Sequence, residues 1–451
     1  MEKRRVIALL ACLAMLSVGF SGCVSSQKSE KSIEQPKSAP ENETVFSGKP
    51  HVVVAIIDCG INPYHEVFRR PNMTIHPSNY IDGYPKESDA INVTLDEECH
   101  FHETCWDNVE RNKLYWIPGT NIVGAISFGE VWDLTTQSQE PGTPILDDNF
   151  HGTGVASILA KTCPDAYIIV IETGADCFER AMQWAVNQSW IDIISSSNGW
   201  NEFPGLPMPL WKNIPLVTKE GWGKGKIVIN SGGNRILPPW MTYQAGPPWI
   251  ISVGGANNAT RGETVLAAKG IDYVSNFYLE VATHQSTNEY MIGAGTSLSA
   301  PVVAGTFASI LLEIRRQLNY TDGIVDKFLI NSPSLMISNT DLRNVVNKTS
   351  LYWEALEYNP LAKPPPPPGG DPFDYVYSLL MYAPSVEAPV VAPFLQMGWG
   401  YIGPEMVNDT VDILLGKKEW TPTLEKQLAE PYMNAIYELR RQFWENWPLG
   451  D

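Results

Sequence analysis

Three short runs of this chain carry side chains that could do chemistry. The apolar run Val52 to Ile57 ends in Asp58-Cys59-Gly60-Ile61-Asn62, and 93 positions after Asp58 comes His151-Gly152-Thr153-Gly154-Val155-Ala156-Ser157, which opens a helical pattern. Further on, Gly295-Thr296-Ser297-Leu298-Ser299-Ala300-Pro301 opens another. A carboxylate, an imidazole and a hydroxyl are the groups from which a serine nucleophile is assembled. The hydroxyl is weak until an imidazole takes its proton. The imidazole in turn needs a carboxylate on its other nitrogen to fix the tautomer and stabilise the imidazolium. Any one of the three alone is an ordinary structural residue; the signal is all three at the ends of elements, in the order Asp, His, Ser.

Groups this far apart need a scaffold that brings element ends together. Val52 to Ile57, Tyr167 to Ile171, Ile191 to Ser195, Lys226 to Ile229 and Trp249 to Val253 are short, nearly continuous apolar runs. Such runs are what strands buried on both faces of a parallel sheet require. Between two of them Phe178, Met182 and Ala185 recur at helical spacing, which predicts a crossover helix. The class is α/β, and most of these residues only build the core.

The order of the three motifs matches the subtilisin triad, and the chain resembles the subtilisin-like serine peptidases, most specifically in Gly-Thr-Ser-x-Ser-Ala-Pro. The resemblance implies a three-layer α/β fold, with a mostly parallel sheet and helices on both faces. It implies that Ser297 attacks, His151 serves as general base and then acid, and Asp58 orients His151. A helix start at Ser297 would turn its N–H and the helix dipole toward the developing oxyanion, and Pro301 is expected to lie in the first turn, where proline is tolerated. Asn230-Ser231-Gly232-Gly233-Asn234 resembles the strand ending whose Asn donates the second oxyanion hydrogen bond, which makes Asn234 the candidate. Ser195-Ser196-Ser197-Asn198-Gly199 resembles the substrate-binding strand, giving Ser197, Asn198 and Gly199 as substrate-binding candidates. No cofactor is required and no metal ligand is assigned; calcium sites cannot be read from these residues.

The resemblance runs from about Lys49 to Gly416, with departures. Phe150 stands where Gly usually precedes the His, and Gly154 replaces a common second His. Thr340 to Asn347 resembles the family's next helix, and Gly398-Trp399-Gly400-Tyr401 its closing Gly-x-Gly motif. The expected organisation is residues 1–23 as a signal, 24–48 as a flexible tether and 49–416 as a peptidase domain. Within that domain insertions are expected near 66–120, as a surface feature, and near 352–395, around Pro364 to Pro368. Residues 417–451 form a helical extension, with Leu424, Leu428, Ile436, Leu439 and Phe443 at helical spacing and an interruption at Pro431. The short stretch between Cys23 and Lys49 leaves no room for the pro-domain that secreted members commonly carry.

Lys3, Arg4 and Arg5 followed by the apolar Val6 to Phe20 form a targeting segment. Phe20-Ser21-Gly22-Cys23 resembles the lipobox of prokaryotic lipoproteins, with Phe20 in place of the commoner Leu, which implies lipidation at Cys23. The chain is therefore expected outside the cell, anchored to the outer face of the membrane through an N-terminal lipid or helix. Eight Asn-x-Ser/Thr sequons, at Asn42, Asn72, Asn92, Asn187, Asn258, Asn319, Asn347 and Asn408, fit export and glycosylation. Beyond Cys23 lie Cys59, Cys99, Cys105, Cys163 and Cys177; the local pairing is Cys99 with Cys105 and Cys163 with Cys177. Cys99-His100-Phe101-His102-Glu103-Thr104-Cys105 could instead bind zinc, although an oxidising compartment favours the disulfide.

With 44% hydrophobic and 18% charged residues the chain is not disordered, and the lack of any period of 20 to 50 residues argues against fibrous and repeat architectures. Its formal charge of −18, without a basic stretch after the N-terminus, argues against nucleic acid as a partner and leaves protein or peptide substrates. An extracellular, membrane-tethered serine endopeptidase accounts best for these features. The alternatives are a catalytically silent relative that binds peptides or cell-envelope partners, and an esterase-like acyl hydrolase using the same triad. A sedolisin-type acid peptidase would require a Glu where His151 stands.

Overall fold

Successive residues of β1 (Val53–Asp58) face opposite sides of a sheet, and both sides are buried. Val54 and Ile56 enter one apolar cluster, and Val53, Ala55 and Ile57 enter a second. The structure is a computed structural model that describes residues 49–96, 106, 108–129, 131–133, 138–140, 143–174, 177–199, 213–234, 241–256, 265–266, 270–352 and 397–445. After β1 come β2 (Ala90–Asn92), β3 (Leu114–Trp116), β4 (Ile122–Phe128) and a hairpin of β5 (Val131–Asp133) and β6 (Ser138–Glu140). They are followed by β7 (Tyr167–Thr173), β8 (Ile193–Ser196), β9 (Ile227–Ser231), β10 (Ile251–Ala256), β11 (Val265–Leu266) and β12 (Tyr273–Asn276). Among the described residues the main sheet has ten strands, in the order β11-β10-β9-β8-β1-β7-β4-β3-β2 with β12 beside β10.

The pairing is parallel except at β3–β4 and β10–β11. β1 lies between β7 and β8, with Asp58 opposite Glu172 and Ile57 opposite Ser196. The strands on one side of β1 (β4, β7) precede those on the other (β8, β9, β10), so the chain changes sides at β1. In open α/β sheets the crevice at such a switch point is where ligands bind, and Asp58 leaves the sheet there.

Helices cover both faces. On one lie α1 (His151–Thr162) and, later in the chain, the long helix Thr296–Leu318, through Val155, Leu159, Val303, Phe307 and Leu311. On the other lie α2 (Phe178–Asn187) and α3 (Ile214–Gly223), through Phe178, Met182, Ile214 and Val217. The long helix, α4, is apolar enough to cross a membrane, yet most of it is buried in this core. Its buried Arg315 holds Asp192, just before β8, in a two-point ion pair at 2.7 and 3.0 Å. This is the α/β/α architecture expected, and all five anticipated strands are present. The stretch near 66–120 is more than a surface feature, since it adds β2 and β3 to the sheet and buries Phe68, Tyr84 and Trp106.

A hairpin of β13 (Tyr278–Ala282) and β14 (Tyr290–Ala294) leads into α4, and β15 (Phe328–Ser332) pairs with β16 (Leu335–Ser338) after it. Then follow α5 (Asn339–Thr349), started by a Ser338–Asp341 capping box, α6 (Val407–Leu414) and α7 (Leu424–Glu445). α7 runs through Pro431, which is exposed, so the expected interruption is absent. Its packed face is also not the expected one. Ala429, Tyr432, Met433, Ile436, Arg440 and Trp444 are buried, while Leu424 and Phe443 are exposed. Arg440 accounts for the difference. It reaches the buried Asp272 at 2.9 Å and donates to the carbonyls of Ala245, Gly246, Pro247 and Ile250.

Candidate active site

Asp58 and His151, 93 positions apart, meet directly. Asp58 Oδ1 accepts from His151 Nδ1 at 2.8 Å and from the Cys59 N–H at 2.9 Å. Two glycines permit this approach. A Cβ on Gly152 would lie 2.1 Å from the Gly60 carbonyl oxygen, and one on Gly60 would lie 2.7 Å from the carbonyl oxygens of Ile145 and Leu146. Asp58 is 1% exposed, whereas the His151 side chain is 37% exposed and open to the crevice. Burial opposes the charge on Asp58, but the His151 partner outweighs it and holds the carboxyl below its usual range. Burial likewise opposes a charged His151; Asp58 and the more distant Asp147 overcome it, raising the imidazole above its ordinary 6.5.

α1 starts at His151 with an unusual cap. Phe150, at the N-cap, has φ 68° and ψ −12°, a left-handed conformation that glycine adopts without strain. The backbone is thus the one a Gly at this position would take, and Phe150 holds it with a ring that is 55% exposed beside His284. Capping falls to neighbours that the sequence reading did not single out. Asp147 Oδ2 accepts from the Thr153 N–H at 2.7 Å and Asn149 Oδ1 from the His151 N–H at 3.2 Å. An Asp-Asp-Asn run just ahead of a helix is a start signal that could have found them. Cys59, also missed, has its Sγ 2.9 Å from Asn149 Oδ1 and accepts from the Gly152 N–H at 3.2 Å.

Ser297 is the second residue of α4, after Gly295 at φ 147°. Thr296 donates its N–H and hydroxyl to Asn234 Oδ1 at 2.7 and 2.8 Å. The Asn234 oxygen is thereby occupied, and its Nδ2 lies beside Gly295, 3.3 Å from where a Cβ there would stand. The Ser297 N–H is a first-turn donor for which the helix has no acceptor. Pro301 is not in the first turn as expected; it is the sixth helical residue. Lacking an N–H, it cannot bond the carbonyl four residues back, which is that of Ser297. Ser197 Oγ takes its place, donating to the Ser297 carbonyl at 2.7 Å.

Ser197 also receives the nucleophile candidate, because Ser297 Oγ donates to the Ser197 carbonyl at 3.4 Å. No hydrogen bond joins Ser297 to His151 among the described residues. Catalytic contacts are commonly long before substrate binds. Asn198 fastens the end of β8 to β1, with Nδ2 donating to the Ile57 carbonyl at 3.2 Å, and Asn230 Nδ2 holds the Asn198 carbonyl at 3.1 Å. Gly199 passes so close to Thr242 that a Cβ would lie 2.8 Å from its methyl. The structure therefore brings Asp58 to His151, Asn234 to the start of α4, and Ser197 to Ser297.

The Cys163–Cys177 bridge is not formed. Cys163 is a free, buried thiol in the apolar cluster on the α1 side of the sheet, while Cys177 packs against the cluster on the other side, so the sheet separates them. Cys23, Cys99, Cys105 and the run from Cys99 to Cys105 lie outside the described residues.

Comparison with protein families matches residues 49–349 to the subtilase family. No curated protein matches. Solved structures similar to this chain include the prenylagaramide maturation protease PagA, at 12% identity and a TM-score of 0.43, covering 81% of this chain and 96% of that one. A lanthipeptide protease is similar at 15% identity and a TM-score of 0.45, covering 81% and 89%. The patellamide maturation protease PatA is similar at 14% identity and a TM-score of 0.46, covering 82% and 99%.

Proposed function

This chain belongs to the subtilase family, and from that premise we propose that it is a serine endopeptidase working through Asp58, His151 and Ser297 by way of an acyl-enzyme. The observation that carries the reading is the 2.8 Å bond between His151 Nδ1 and a buried Asp58 carboxylate. It leaves Nε2 bare for the Ser297 proton. In the proposed reaction Ser297 Oγ attacks the scissile carbonyl while His151 takes its proton. The oxyanion is met by Asn234 Nδ2 and the Ser297 N–H, and His151 returns the proton to the leaving amine. Water then repeats the sequence on the ester. Ser197, Asn198 and Gly199, at the end of β8, are assigned to the substrate backbone.

The opposing reading is a catalytically silent binding protein, and the observation in its favour is that Ser297 Oγ donates to Ser197 instead of His151. Labelling with a serine-directed phosphonate separates the two. The wild-type chain is expected to take up the probe and Ser297→Ala is not; an unlabelled wild type would establish the silent reading.

The pH profile follows from His151. Only the neutral imidazole can take the hydroxyl proton, and its pKa is raised above 6.5. Activity is therefore expected to rise with pH through a midpoint above that value and to hold into mild alkalinity. Initial rates against pH on a peptide substrate check this, and an acid optimum would contradict it.

We also propose that the enzyme acts outside the cell, tethered through Cys23. In support, Asn72, Asn92, Asn187, Asn319 and Asn408 of the glycosylation motifs are exposed. With a formal charge of −18 the chain gains nothing from an anionic membrane surface, so anchoring falls to the lipid on Cys23 or to an uncleaved N-terminal helix. Cys23→Ser is expected to appear in the medium or remain unprocessed, and high salt is expected to release none of the wild type. Release by salt with Cys23 unmodified in mass spectra would refute the tether.

A further inference from the structure

Cys59 follows Asp58 directly, and the mechanism above gives its thiol nothing to do. A carboxylate oxygen of Asp58, Cys59 Sγ and an imidazole nitrogen of His151 all lie within 4.8 Å of one another. A second observation is independent of the thiol: Asp58 Oδ2 is buried and, among the described residues, has no hydrogen-bond partner, in a residue that is 1% exposed. The site is also open, since the His151 side chain is 37% exposed and Cys59 is half-buried.

We propose that Asp58, Cys59 and His151 form a binding site for a thiophilic divalent cation of the zinc class, and that this cation reversibly switches the peptidase off. One thiolate, one imidazole and one carboxylate, with a water completing the tetrahedron, is a donor set suited to zinc. The thiolate selects zinc or cadmium over calcium and magnesium, which take oxygen ligands. The orphaned Oδ2 gains the partner it lacks.

The consequence for catalysis rests on the endopeptidase reading and follows from proton positions. In the resting dyad the imidazole proton is on Nδ1, donated to Asp58. A cation on Nδ1 displaces it, and the neutral ring then carries its proton on Nε2. That nitrogen can no longer accept the proton of Ser297. Binding releases the Cys59 thiol proton to solvent and changes no oxidation state. The His151 proton only changes nitrogen.

Two measurements test the site, one of them independent of activity. Full-length Ser297→Ala protein, titrated with Cd2+ alone, is expected to develop the ultraviolet thiolate-to-metal charge-transfer band with about one equivalent. The Cys59-dependent part of that band should vanish in Ser297→Ala carrying either Cys59→Ser or Cys59→Ala. Two replacements are used so that misfolding of one does not decide the result. With active protein, Zn2+ is expected to inhibit peptide hydrolysis and a chelator to restore it. Cys59→Ser is expected to need at least about tenfold more Zn2+ for half inhibition of its own rate, and Ca2+ is expected to be without effect. Absence of a Cys59-dependent band, or equal sensitivity of both proteins to Zn2+, overturns the site. If the band appears while the wild-type chain hydrolyses no peptide, the cation site stands and the endopeptidase reading falls.

Discussion

Ser297→Ala, and separately His151→Ala, is expected to lower kcat for peptide hydrolysis by about six orders of magnitude, the scale found for subtilisin itself. The residual, about three to four orders above water, is what binding and the oxyanion donors supply alone. The two residues act as one unit, so the double variant should lose little more than either single one. Asn234→Ala separates the contributions. Its Oδ1 is committed to Thr296 and its Nδ2 is the proposed donor, so about a hundred- to thousandfold loss in kcat with little change in KM is expected. Steady-state kinetics on one peptide substrate reads all four proteins. Wild-type turnover in Ser297→Ala would end the proposed mechanism.

Asp272→Ala is expected to destabilise the fold by about 3–5 kcal/mol, the cost of leaving buried charges without their counter-ion. Asp272 receives Arg343 at 2.6 Å on Oδ1, and on Oδ2 Arg440 at 2.9 Å together with the N–H and hydroxyl of Ser252. Its removal strands two buried guanidinium groups, one on α5 and one on α7. Arg440→Ala leaves Asp272 paired with Arg343 and should cost less. Denaturant midpoints measure both, and equal losses would show that the α7 contact carries the effect. Burial opposes the Asp272 charge, yet Arg343 and then Arg440 hold its carboxyl below the usual range. The depressed pKa sets the sign. Its stabilisation is complete above the unfolded carboxyl pKa of about 3.9 and is lost only as pH falls through the lower folded value. Asp272 therefore contributes nothing to acid unfolding above that range.

The strands that were legible are those whose residues are apolar on both faces, because a doubly covered parallel sheet writes itself as continuous runs such as Val52 to Ile57. β4 escaped notice because Gly124 interrupts it, and that glycine answers to a neighbour, Ile169, whose methyl would lie 2.7 Å from a Cβ. α7 was legible as a helix but not by its face. Periodicity counts leucines, and the α7 side chain with the most polar contacts is Arg440, whose carbonyl partners lie about two hundred positions upstream. At the site, Asp58, His151 and Ser297 stand in recognisable runs. Asp147 stands in a helix-start run and Cys59 beside Asp58, but what each touches is set by a loop folding back on α1, which no local pattern shows. The Pro301 reading failed for a similar reason: what excuses a proline in the second turn is the Ser197 hydroxyl, a hundred residues away.

The contact of Gly152 on the Gly60 carbonyl bears on how such a chain tolerates length. It fixes the spacing of Asp58 and His151 backbone against backbone, without reference to what the intervening segment does. The entropy of closing a flexible loop rises only with the logarithm of its length, about 0.6 kcal/mol for each doubling. The connections between strands in the segment from Asn62 to Asp147 can therefore lengthen or shorten at little thermodynamic penalty, provided β2, β3 and β4 keep their places in the sheet and the two glycines still meet. A methyl group at Gly152, by contrast, would press on the Gly60 backbone two residues from Asp58, so a single carbon there should matter more to catalysis than residues added to the connections between.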